Sequence, residues 1–159
     1  MRPPRRSSQR IVIILVVAIT VAALAAAPAG AHIDADPSRV EPGASTTVAF
    51  VVEHGCDESP TVKLKFKIPK DIQDVEPEAK DGWATRSTRK TVVFKGGPLE
   101  SDTEDRFAIS FTAPDTTTVL MWKVIQKCEE GAIRWIDTSD GAEEPPPVVG
   151  VGTDAPDGH

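Results

Sequence analysis

Residues 61–68 read Thr-Val-Lys-Leu-Lys-Phe-Lys-Ile, an alternation that puts Val62, Leu64, Phe66 and Ile68 on one face and Lys63, Lys65 and Lys67 on the other. A period of two predicts a half-buried β-strand whose lysines meet solvent. Shorter β-rich runs recur at 45–52, 91–95, 106–112, 118–126 and 132–137, with Phe107, Ile109 and Phe111 expected inward. Turn signals fall between them, at Glu41-Pro42-Gly43, Ser59-Pro60, Asp81-Gly82, Gly96-Gly97-Pro98, Ala113-Pro114-Asp115 and Glu130-Gly131. No long helical period interrupts the series. Many short strands with spaced turns predict an all-β fold, an antiparallel β-sandwich.

The size expected is that of immunoglobulin-like or cupredoxin-like sandwiches, and both ends of the chain depart from the pattern. Arg2, Arg5, Arg6 and Arg10 precede a charge-free apolar run at 11–27, followed by Pro28-Ala29-Gly30-Ala31. That order of basic, apolar and small residues predicts a secretory signal peptide cleaved after Ala31. The apolar run is shorter than the roughly 20 residues that favour a spanning helix. Arg5-Arg6 leaves the general secretory and twin-arginine routes both open. From Gly141 the chain turns to Gly-Ala-Glu-Glu-Pro-Pro-Pro, which predicts a disordered tail rich in proline, glycine and acid over 141–159. The expected plan is a signal at 1–31, a sandwich at 32–140 and that tail.

Without residues 1–31 the chain keeps 14 basic and 24 acidic side chains, a formal charge of −10. An acidic balance of this kind argues against nucleic acid as a partner and suits cations. The two cysteines, Cys56 and Cys128, both fall in the part expected to be exported. An even pair in an oxidising compartment reads most simply as one disulfide, and the alternative of thiolate metal ligands lacks the usual close spacing.

A cut after Ala31 would make His32 the first residue. Its α-amine and ring Nδ1 could then chelate one ion, and nitrogen donors of this kind suit Cu(II). Several blocks carry a resemblance in the same direction. They are Ala31-His32-Ile33-Asp34-Ala35-Asp36-Pro37, His54-Gly55-Cys56-Asp57-Glu58-Ser59-Pro60-Thr61, Ile68-Pro69, Asp81-Gly82-Trp83, Gly96-Gly97-Pro98-Leu99, and the run from Val124 through Cys128 to Trp135. Together they resemble the YcnI-like copper-binding domain family. The resemblance implies a cupredoxin-like sandwich that binds Cu(II) through its N-terminal histidine, with an acidic side chain completing the coordination and a tryptophan beside it. On this chain the histidine is His32 and the tryptophan Trp135.

The acidic ligand has no clean counterpart, and Glu53 and His54 are the nearest candidates. Glu53 reads equally as a solvated strand end, His54 as a turn histidine beside Cys56, and Trp135 as a core residue. Trp83 and Trp122 read as packing residues, and His159 as a solvated terminus. The function expected is an exported, periplasmic or cell-surface Cu(II) carrier in copper acquisition or homeostasis, handing the ion to a membrane copper transporter. A metal-free interaction module is the alternative. A copper monooxygenase is the enzyme reading; the chain has no tyrosine, which such a site commonly uses, so no enzymatic activity is expected.

Overall fold

The computed structural model describes residues 32–156, so the expected signal segment and His159 lie outside the described residues. Twelve strands form the described part: β1 (Ile33–Asp36), β2 (Arg39–Val40), β3 (Ser45–Val52), β4 (Thr61–Lys67), β5 (Gln73–Pro77), β6 (Trp83–Ser87), β7 (Thr91–Leu99), β8 (Asp105–Thr112), β9 (Thr118–Met121), β10 (Val124–Cys128), β11 (Ala132–Trp135) and β12 (Val148–Val151). One sheet has the order β1-β3-β8-β5, the second β11-β10-β4-β7-β6, and a small third sheet β2-β12-β9. Every pairing is antiparallel except β2 with β12. The all-β sandwich expected from the alternation is the architecture observed.

The core fills from the inward residues of the two large sheets. Val48, Phe50 and Val52 of β3 and Phe107, Ile109 and Phe111 of β8 face Leu64 and Phe66 of β4 and Val92 and Phe94 of β7, all buried. Aromatic contacts bridge the layers, Phe50 to Phe66 at 4.8 Å and Phe94 to Phe107 at 5.3 Å between centroids. Trp83 closes one side edge-on against Phe107.

Four expectations need correction. The run 118–126 is two strands in different sheets, broken at Trp122 and Lys123; the Trp122 side chain turns into the core while its backbone N–H donates to Pro147 O. The turn expected at 96–98 lies inside β7. Glycine is what lets the strand continue there, since a Cβ on Gly96 would stand 2.1 Å from Gly82 O and one on Gly97 2.8 Å from the Trp83 ring. In β4 a bulge between Thr61 and Lys63 buries Thr61 completely and leaves Val62 half-exposed, reversing the start of the alternation. Finally, the tail expected from Gly141 carries β12, which is hydrogen-bonded between β2 and β9 with Val149 and Val151 fully buried. The domain therefore runs past the boundary expected at residue 140.

Candidate functional site

The β1–β3 ladder runs from Asp36–Ala49 to Ile33–Val52. Ile33 and Val52 are both buried, which anchors this end of the sheet. The next residue on one chain is His32, and on the other Glu53. The end of the ladder therefore leads into a histidine on one strand and a carboxylate on the other, each one residue beyond the last pair. His32 also borders a cleft of about 330 Å³ with Asp34, Pro145, Pro147, Val148 and Pro156.

Beyond Glu53 the chain leaves the sheet through His54, Gly55 and Cys56. His54 Nδ1 stands 2.7 Å from Gly55 O. A carbonyl can only accept, so Nδ1 carries a proton, which leaves Nε2 as the nitrogen that can offer a lone pair to an ion. Gly55 permits a very close approach of chains, since a Cβ there would lie 2.2 Å from Ser59 O; its N–H donates to Ser101 O. Cys56 is bonded to Cys128 at the end of β10, their Cα atoms 6.0 Å apart and 72 residues apart in sequence. The disulfide expected from the cysteine pair is present, and closing a loop of this length stabilises the fold by about 4 kcal/mol on the chain-entropy account.

A buried polar network supports the same turn. Trp135 Nε1 donates to Gln126 Oε1 at 2.9 Å, and Gln126 Nε2 donates to His54 O at 2.6 Å and Thr61 Oγ1 at 2.8 Å. The indole and the carbonyl fix the Gln126 amide one way round, because an indole N–H needs an acceptor and a carbonyl needs a donor. Gln126 and Thr61 are fully buried and Trp135 is 1% exposed. Trp135 is thus a core residue that reaches the candidate segment through Gln126 and the His54 carbonyl. Gln126 and Thr61 were absent from the expected site. The signal for Gln126 was its inward position between Val124 and Cys128 in a strand, where an amide must find partners.

The structure places His32 and Glu53 each one residue past the last β1–β3 pair and ties the His54 carbonyl to Trp135 through the network. Among the described residues no three His, Cys, Asp or Glu side chains are grouped so as to hold a metal. An ion here would need a main-chain donor as well. The hollow next to the His32 cleft holds Asp137. Its carboxylate accepts the Ser139 N–H and hydroxyl, which hold it below the ordinary aspartate range; those bonds close a turn of the chain.

Comparison with known proteins agrees with the architecture. A crystal structure of an uncharacterized protein from Nocardia farcinica, described as revealing an immunoglobulin-like fold, superposes with a TM-score of 0.66 at 19% identity, covering 77% of this chain and 99% of that one. A putative membrane-anchored protein from Corynebacterium diphtheriae gives 0.47 at 11% identity over 79% of this chain and 35% of that one. A search of curated proteins found no match. The family model described as "Domain of unknown function (DUF1775)" matches residues 32–92 and 84–151. With the matched stretches spanning nearly all of the described sandwich, this chain belongs to the DUF1775 family, the YcnI-related domain.

Proposed function

We propose that this protein is an exported Cu(II)-binding protein of the periplasm or cell surface, and that the ion is its cargo. The observation that carries the reading is the end of the β1–β3 ladder, where His32 and Glu53 follow the last pair. A free amine at His32 would add the main-chain donor that the side chains lack. The donor set would be the amine and imidazole of His32 with the Glu53 carboxylate, and His54 Nε2 as a further nitrogen. Such nitrogen and oxygen donors fit Cu(II) better than Cu(I), whose thiolate and thioether ligands are not offered here. Both cysteines are in the disulfide. The disulfide agrees with an oxidising compartment.

In this reading the chain's own work is positioning. The Ile33–Val52 pair fixes the two strand ends, and the Trp135–Gln126 network holds the His54 segment against the sheet. Binding would release protons from the imidazole and the amine, so affinity should fall as pH falls. The test is calorimetry and electron paramagnetic resonance on a chain that begins at His32 and on one that keeps Ala31 before it. Tight binding with nitrogen hyperfine structure in the first, lost in the second and in His32→Ala, is expected. Equal affinity in the first two would remove the N-terminal chelate.

A further inference from the structure

The outer face of the five-stranded sheet is basic on a chain that is otherwise acidic. Along one cross-strand row the register aligns Lys127 of β10, Lys63 of β4 and Lys95 of β7, flanked by Ala132 and Ala84. The next row runs Arg134, Ile125, Lys65, Val93, Arg86, and Lys67 stands beyond it opposite Thr91. These seven are half the basic residues outside 1–31, and none of the 24 acidic side chains falls in those rows. None of the seven joins the ion pairs found among the described residues, which involve Arg39, Lys80 and Arg106. Like charges directly opposite one another across strands destabilise a sheet, so the Lys127–Lys63–Lys95 row works against the fold that carries it.

The three lysines of that row ring a shallow hollow floored by Val62, Ala84 and Gly96. The other large sheet is different: the positions of its outer face hold Asp34, Asp36 and Glu76, and its Arg106 is paired with Asp36. With strands about 4.8 Å apart, the five-stranded face spreads its charges over a plane roughly 20 Å wide. A broad array of unpaired cations spread over several strands complements a broad array of anions rather than a single ligand or a peptide groove.

We propose that this face docks the protein on a lipid bilayer bearing anionic headgroups, with a headgroup phosphate seated among Lys63, Lys95 and Lys127. Attraction near such a surface grows with each Lys or Arg and dies within a Debye length of about 8 Å at physiological salt. Only the basic face gains from the contact, so the acidic remainder of the chain orients the molecule with the β1–β3 sheet away from the bilayer.

The test uses residues 32–159, whose described part lies within one compact unit, because the apolar run at 11–27 would bind lipid on its own account. Co-sedimentation with phosphatidylcholine vesicles containing phosphatidylglycerol, and with phosphatidylcholine alone, should show binding only to the first, weakening as salt rises. The triple variant Lys63→Glu, Lys95→Glu, Lys127→Glu should lose about a hundredfold or more in affinity. A triple of equal charge away from the face, Arg39→Glu, Lys70→Glu, Arg106→Glu, should lose far less, with unchanged circular dichroism confirming that both fold. Absence of binding at low salt, or equal losses in the two triples, overturns the proposal. So does self-association in sedimentation velocity, or capture of an acidic polymer, that depends on the same three lysines while the vesicles stay bare.

Discussion

Trp135 and Trp122 are both sealed in the sandwich, yet their surroundings are opposite in kind. Trp135 sits at the disulfide end, where its N–H is spoken for by Gln126 and, through it, by Thr61 and the His54 carbonyl. Trp122 lies between Phe50 and Phe111, at 5.1 and 5.4 Å, and its Nε1 has no partner among the described residues. A buried orphan donor carries a penalty of about 1–3 kcal/mol, which the apolar region absorbs through the burial of a large ring. The first region specifies a conformation with directional bonds. The second only fills space. The candidate residues gather where direction matters, because a turn outside the sheet has no ladder to fix it.

The largest way to break the contrast is to remove the covalent link at the polar end. Cys56→Ala with Cys128→Ala should lower stability by about 4 kcal/mol in denaturant titrations, and the His54 amide should exchange faster than those of β3. A smaller effect is expected of Trp135→Phe. It leaves Gln126 Oε1 buried without its donor and a smaller ring in place, for about 2–4 kcal/mol. Smallest of all should be Trp122→Phe, where the lost volume is offset by removal of the orphan N–H, keeping stability within about 1 kcal/mol of the parent. A cost for Trp122→Phe equal to that for Trp135→Phe would mean that the network contributes nothing beyond packing.

The same contrast separates what could be read in advance from what could not. β3, β4 and β8 were legible because each buries one face and wets the other, so alternation marks them. β5 reads Gln-Asp-Val-Glu-Pro and is an edge strand, mostly exposed, so it leaves no apolar trace. β12 is only four residues long and follows three prolines; a short apolar run after a breaker reads as tail until a parallel partner is known. His32 is legible through its place after the small residues, while its position one residue past the end of the ladder that also leads to Glu53 needs the register. Gln126 leaves no such trace, because a single amide in a strand looks like surface until Trp135, nine positions on and across a hairpin, is seen to bond it.

β12 sets an order of events. The N–H groups of Gly150 and of Gly152 just past the strand donate to Ser38 O and Val40 O, and Pro145, Pro147, Val148 and Pro156 frame the cleft that His32 borders. A polypeptide emerges N-terminus first, so the walls around its earliest described residue arrive with nearly its last. Until they do, the cleft beside His32 lacks those walls, and nascent chains stalled before residue 148 should leave His32 open to modification by reagents that the finished protein resists.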